Sequence, residues 1–187
     1  IENCSHWNVI GLYGRSADRS CAQGGKDVSI FTARNSSYIV FRRLLATNNN
    51  RYFNTHLLGI DNHSDGVLSS GHHLVEESEF YSFHRHAIYM GSSNNVFRRN
   101  YFNSRGYADL PGCVRGGTPY CSEQPSRGED GVVFYPGSHN IVENNISEGN
   151  AALSAIQAIN TSEFNRWLGS VSLNDIHGIA VKTRDEC

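Results

Sequence analysis

Four short segments of this chain repeat one pattern, in which Asp or His is followed by Gly or Ala and then by Val or Ile. They begin at Asp65, His86, Asp130 and His177, and a weaker copy begins at Ser154. The copies recur every 21 to 24 residues or so, apart from one interval about twice as long. A unit of that length cannot bury an apolar face alone and must stack on its own copies. The repeat therefore predicts a solenoid.

A second repeated segment lies about ten residues after the first. Its copies begin at Tyr38, His73, Asn95 and Asn140, and a degenerate copy begins at Ser5. Each copy holds a β-branched or aromatic pair, two or three polar residues and a further apolar residue, and it is bounded by Asn, Ser or Gly. These features predict short strands. No stretch has sustained apolar residues at helical spacing, and the repeat places residues 151–158, the best helix candidate, in a strand.

The repeat is shorter than a βαβ unit, which needs roughly 30 residues, but it can hold three short strands and three turns. Residues 94–102 and 138–146 carry the pattern most clearly, and it extends over residues 5–180. It resembles the right-handed parallel β-helix of pectate-lyase-like proteins. The resemblance implies an all-β fold, a right-handed parallel β-helix solenoid of about six or seven coils. Residues 1–187 would form a single domain, with a Cys-containing loop insertion at 104–128.

Composition limits the possible partners. The formal net charge of -2 gives no electrostatic case for binding nucleic acid or an anionic membrane surface. No apolar run approaches the ~20 residues of a membrane span. The chain begins without Met or a signal peptide, so we expect a processed chain or a portion of a longer protein.

The five cysteines favour disulfides and a secreted, extracellular protein. Cys113 and Cys121 lie in the insertion and would close it, while Cys4 and Cys21 bracket an irregular stretch near the N-terminus. Cys187 is then left over, as a free thiol or as a link to another chain. Five N-x-Ser/Thr sequons are present, at Asn3, Asn35, Asn62, Asn145 and Asn160.

Aligned copies of the second repeat place Arg42, Glu76, Arg98 and Glu143 at one position in successive coils. Coils stack about 4.8 Å apart, so charges of alternating sign would attract across the strands and fix the register. The alternative is an anion-binding face that uses Arg42, Arg43, Arg98 and Arg99. Alternation favours register control, because it neutralises the face.

Aligned copies of the first repeat give a row in which His86 stands between Asp65 and Asp130. A His flanked by carboxylates becomes more basic and suits general acid–base catalysis, and Arg85 lies beside it. The alternative is structural, because Asp before a strand commonly caps backbone N–H groups. We favour that alternative from the sequence alone.

Three functions remain open. The sequence favours a structural module without a cofactor. Copies of this module would associate end to end into a homo-oligomer or polymer, in a filament or surface layer. The resemblance instead implies a polysaccharide lyase, hydrolase or epimerase, with calcium as the cofactor of a lyase. The residues that we would test for catalysis are His86, Asp65, Asp130 and Arg85, with Asp61 as a further carboxylate. A carbohydrate-binding module would use Tyr107, Tyr120, Arg98 and Arg99.

Overall fold

A computed structural model describes residues 1–15, 28–47, 55–61, 71–83, 86–104, 114–115, 118–119, 130–135, 137–150, 152–157 and 163–182. Within these ranges the chain forms strands and turns and no helix. In chain order the strands are β1 (Asn8–Ile10), β2 (Tyr13–Arg15), β3 (Val28–Arg34), β4 (Val40–Arg42), β5 (Leu45–Thr47), β6 (Thr55–Asp61), β7 (Leu74–Glu76), β8 (Glu79–Tyr81), β9 (His86–Met90), β10 (Val96–Arg98), β11 (Tyr101–Asn103), β12 (Val114–Arg115), β13 (Thr118–Pro119), β14 (Asp130–Phe134), β15 (Ile141–Glu143), β16 (Ile146–Glu148), β17 (Ala152–Gln157), β18 (Arg166–Leu168), β19 (Val171–Leu173) and β20 (His177–Lys182).

The strands form three parallel sheets of six strands each. The first sheet has the order β1-β4-β7-β10-β15-β18, the second β2-β5-β8-β11-β16-β19 and the third β3-β6-β9-β14-β17-β20. Successive strands of the chain thus visit the three sheets in turn, and each circuit, here called a rung, stacks on the one before. This arrangement confirms the predicted all-β parallel solenoid. The short antiparallel pair β12–β13 interrupts one rung between β11 and β14, within the predicted insertion.

A left-handed residue turns the chain from the first sheet into the second in each of these rungs. The corner positions have φ between 52° and 70° and are occupied by Gly11, Arg43, Glu77, Arg99, Asn144 and Gly169. Every corner N–H except that of Gly169 donates to a carbonyl of the next rung, as in the 3.2 Å bond from Arg43 N to the carbonyl of Glu76. Side chains other than Gly adopt this conformation at a cost, so pairing between rungs has to stabilise it.

Apolar side chains stack in columns inside the three sheets. Phe41, Val75, Phe97 and Val142 occupy one column of the first sheet in register, and all four are fully buried or nearly so. Phe80 and Phe102 continue the packing from the second sheet with ring centroids 5.5 Å apart. Burial of such side chains stabilises the fold by roughly 1.5–3 kcal/mol each.

Buried asparagines form ladders between rungs, as their abundance in the sequence suggests. Asn145 Oδ1 accepts from the backbone N–H of Asn100 at 2.9 Å, and its Nδ2 donates to the carbonyl of Phe97 at 2.9 Å. Asn140 Oδ1 likewise accepts hydrogen bonds from the backbone N–H and the Nδ2 of Asn95. The sequon at Asn145 is therefore engaged inside the folded solenoid, whereas Asn3 and Asn35 are exposed.

Candidate functional site

The alternating charges of the first sheet meet around one buried carboxylate. Register pairs Arg42 with Glu76, Glu76 with Arg98 and Arg98 with Glu143, as predicted. Glu76 is fully buried and accepts from Arg42, from Arg98 Nε at 2.7 Å and from Arg99 at 2.6 Å. Because Arg98 and Arg99 are paired with glutamates, their charges are neutralised, which favours register control over anion binding.

The pKa values of the two glutamates agree with this arrangement. Burial by itself would raise the pKa of Glu76, but hydrogen bonds and charges from Arg98 and Arg42 outweigh it and hold that pKa below its usual range. The hydrogen bond from Arg99 is the largest influence on Glu77; with Arg43 it lowers the Glu77 pKa against a smaller effect of burial. Both groups stay ionised at neutral pH as structural partners of arginine.

The third sheet brings together a row of ionisable side chains at the start of its strands. Asp130 pairs with His86 in register, and His86 Nδ1 lies 3.3 Å from Asp130 Oδ2. In the preceding rung the same position is occupied by His56, whose ring stacks on that of His86 with centroids 5.4 Å apart. All three side chains are buried. A carboxylate beside an imidazole fixes the orientation of the ring. Such a carboxylate commonly accompanies a histidine that acts as a general base.

Two tyrosines extend the row toward solvent. The Tyr89 ring lies 4.9 Å from that of His56, the Tyr135 ring 6.1 Å from that of His86, and the two tyrosines stack at 5.1 Å. Both tyrosines are partly exposed. We name His56, His86, Tyr89, Asp130 and Tyr135 the third-sheet cluster. A ligand on this face would meet the tyrosines before it reached His86.

Gly131 explains why Asp130 sits where it does. A Cβ at this position would lie 2.7 Å from the carbonyl of Leu153 and about 3.0 Å from the ring of Phe102. Only glycine allows the strand to pack this closely over the core ring. The small residue of the repeat motif is therefore a packing requirement that places the preceding carboxylate beside His86.

The predicted row is wrong at two places. The position before His86 is occupied by His56 and not by Asp65, because β6 pairs Leu58 with Ile88. Ser154 pairs with Val132 and Ile179, two residues away from the expected register, so Ala152 stands between Asp130 and His177. The pairing of His86 with Asp130 is confirmed.

Other predicted site residues lie outside the described ranges. These are Asp65 and Arg85 of the catalytic hypothesis, and Tyr107 and Tyr120 of the binding hypothesis. Sequence reasoning missed His56, which begins the motif-like segment His-Leu-Leu-Gly, and it did not single out Tyr89 or Tyr135. His56 precedes His86 by 30 residues, more than the 21 to 24 of the repeat, so the spacing pointed to Asp65 instead.

Cys4 is a free thiol whose Sγ donates to the carbonyl of Glu2 at 3.1 Å. The predicted disulfides thus gain no support at Cys4, and Cys21, Cys113, Cys121 and Cys187 lie outside the described residues. In the described part of the chain, no three His, Cys, Asp or Glu side chains are grouped to hold a metal ion.

The described ranges contain no helix long and apolar enough to cross a membrane. No model of a known protein family, no curated protein and no solved structure matches this chain.

Proposed function

We propose that this protein is a polysaccharide-active enzyme that removes a proton from an acidic sugar unit bound against the third sheet, as a lyase or an epimerase. The observation that carries the proposal is the 3.3 Å contact between His86 Nδ1 and Asp130 Oδ2 beside the two partly exposed tyrosines. We further propose a right-handed, pectate-lyase-like β-helix of six or seven coils and an extracellular location, where such polymers occur.

The chemistry follows from the acidity of the substrate. The hydrogen on C5 of a uronic acid is α to the carboxylate, so a side-chain base can remove it. Because His86 is fully buried beside Tyr89 and Tyr135, the reaction requires these tyrosine rings to move aside when the polymer binds. His86, oriented by Asp130, then takes this proton, the electron pair forms the C4=C5 double bond, and the C4–O bond breaks. Tyr135 donates its hydroxyl proton to the leaving oxygen, and proton exchange with water then restores both side chains. In an epimerase, Tyr135 would instead return a proton to C5 from the opposite face.

The carboxylate content of the site favours proton abstraction over hydrolysis. Glycoside hydrolases generally need two carboxyl groups about 5–9.5 Å apart, one of them acting as an acid. In the described part of the third-sheet cluster, Asp130 is the one carboxylate, and it is committed to His86. A His–Asp pair with a tyrosine nearby supplies a base and an acid without a second carboxylate.

The test is an assay of the native protein on a panel of uronic acid polymers, with polygalacturonate and alginate as probes. Unsaturated ends are detected by ultraviolet absorbance and epimers by proton NMR. We expect activity on at least one polymer and its loss in His86→Ala. His177→Ala is the matched control, because His177 occupies the same row but is exposed. Full activity in folded His86→Ala would overturn the proposal.

A second candidate is end-to-end self-association into an extracellular assembly. It is supported by β18, β19 and β20, which pair on one side only within the described residues and expose Leu168, Val171, Leu173 and Ile179. A second copy of the chain would pair with these strands head to tail. Sedimentation of native protein against Ile179→Pro tests this. Native protein that stays monomeric at high concentration would refute it.

A further inference from the structure

One surface column of the solenoid carries rings in every described rung except one. It lies at the corner before the first sheet, where each residue has φ between 55° and 61°. From His6 to His139, each member of the column also donates its backbone N–H to the carbonyl of the residue that precedes the next member. The column reads His6, Tyr38, His72, Asn94, His139 and Phe164, and all six residues are exposed.

The rings stack face to face along the column. Centroids of His6 and Tyr38 are 4.8 Å apart with an interplanar angle of 9°, and those of Tyr38 and His72 are 4.9 Å apart at 6°. His139 and Phe164 stack at 5.0 Å. Spacing between rungs of about 4.8 Å sets these separations.

Asn94 interrupts the stack between His72 and His139. Two rung spacings, about 9.6 Å, therefore separate those imidazoles, which is the thickness that one further stacked ring would fill. The column itself provides the comparison, because Tyr38 fills the equivalent place between His6 and His72. The Asn94 carboxamide is exposed at the base of this notch and makes no hydrogen bond with the described residues.

The notch lies in the rung that carries His86 and Tyr89. Asn94 follows Tyr89 by five residues, a path of at most about 18 Å, and the neighbouring His139 follows Tyr135 by four. The gap in the column thus lies on the same circuit of the solenoid as His86 and Tyr89 of the third-sheet cluster. Neither feature requires the other for folding, since a ring at position 94 would continue the stack.

We propose that the notch between His72 and His139 is a binding subsite for one pyranose ring of the polysaccharide that is processed at the third-sheet cluster. The imidazoles stack on the two C–H faces of the sugar, a weak contact that recurs with aromatic rings, and the Asn94 amide donates to and accepts from its hydroxyls. This inference rests on the proposed function, because the third-sheet cluster defines where the same polymer is processed.

Asn94→Tyr is the decisive variant, because tyrosine already adopts this conformation and stacking at Tyr38. Its matched control is Asn144→Tyr, an exposed left-handed asparagine at a different corner. With oligomers of polygalacturonate or alginate long enough to span both places, we expect Asn94→Tyr to raise KM about tenfold and to change kcat by less than twofold. Asn144→Tyr should match the native protein.

A second readout separates the subsite from the reaction. In His86→Ala, addition of the same oligomers should shift the ring-proton resonances of His72 and His139, and the shifts should vanish in the His86→Ala, Asn94→Tyr double variant. If native protein processes no polymer but these shifts occur, the proposed reaction is wrong and the subsite stands. If neither resonance shifts with any oligomer, or if Asn94→Tyr binds like native protein, the subsite is overturned.

Discussion

The imidazole Nδ1 of His86 lies 3.3 Å from Oδ2 of Asp130, and neither side chain reaches solvent. The contact joins neighbouring rungs, so the stacking of the solenoid, rather than a loop, sets its geometry. Rigid strands hold a catalytic pair more precisely than loops do. The tyrosines beside it give the pair a partly exposed border on the third sheet.

Asp130→Asn should preserve the size of the side chain while removing its charge. We expect kcat on a processed uronic acid polymer to fall at least 100-fold, because the imidazole loses the carboxylate that orients it. KM should change by less than threefold, since Asp130 is buried away from the substrate. Steady-state kinetics of the folded variant measure both values. A kcat within threefold of native would show that Asp130 is merely structural.

Substitutions of Glu76 test the charge row. Glu76→Gln should lower the free energy of unfolding by about 1–3 kcal/mol, because charged hydrogen bonds are lost while Arg42 and Arg98 can still reach solvent. Glu76→Arg should cost more, since it buries a cation between two others. Glu143→Gln, the control at a partly exposed position, should change stability by less than about 1 kcal/mol. Urea unfolding measures all three; equal effects of the two Glu76 substitutions would contradict the assigned role.

His73 should make the solenoid sensitive to acid. Burial, the largest influence, lowers the pKa of His73 from 6.5 to about 4, and its Nδ1 accepts the backbone N–H of Ile39 at 3.2 Å. The unfolded chain therefore binds a proton that the folded chain excludes as the pH falls from about 6.5 to 4. Stability should drop by about 1.4 kcal/mol per pH unit in that window, about 3 kcal/mol in all.

His73→Asn should remove that dependence, because Asn95, Asn140 and Asn165 occupy the same column in later rungs. Unfolding free energies at pH 7 and pH 4 supply the comparison. The control is His72→Asn, at the exposed neighbouring position, where asparagine tolerates the left-handed conformation. An acid loss in His73→Asn as large as in native protein would show that another group is responsible.

Asn145→Ala should be far more costly than its surface counterpart. It leaves the buried N–H of Asn100 and the buried carbonyl of Phe97 without their partner, at about 1–3 kcal/mol for each unsatisfied group. Asn8→Ala removes the same amide from an exposed strand position and should cost less than about 0.5 kcal/mol. Thermal unfolding of the two variants measures this difference.

Mass spectrometry of protein secreted from a glycosylating host should also find Asn145 unmodified, because its carboxamide is buried in the asparagine ladder. A glycan on Asn145 in folded protein would contradict this arrangement.

The register of the first sheet could be predicted from the sequence, whereas the register of the third sheet could not. In the first sheet, Arg and Glu alternate at one position beside buried asparagines, so a shift of register would oppose like charges. In the third sheet, the segment at Ser154 shifts by two residues, which keeps the same side chains facing the core. Apolar pattern alone cannot distinguish such registers.

The site was partly predictable for the same reason. His86 and Asp130 share a motif whose small residue is required by packing at Gly131. His56 was not identified because the motif requires Gly or Ala at the next position, and Leu57 stands there. A large side chain fits at the rung of Leu57, whereas the equivalent Gly131 has no room for one. The exposure of Tyr89 and Tyr135 depends on packing between rungs, which the sequence alone does not specify.

Proton abstraction is the central claim, and release of a hydrogen label from C5 tests it most directly. Uronic acid polymers deuterated at C5 are incubated with native protein, His86→Ala and His177→Ala, and deuterium in the solvent is measured. Both a lyase and an epimerase must release this label. The account predicts release by native protein and His177→Ala, with a loss of at least 100-fold in His86→Ala. Cleavage of the polymer with the C5 label fully retained would contradict it.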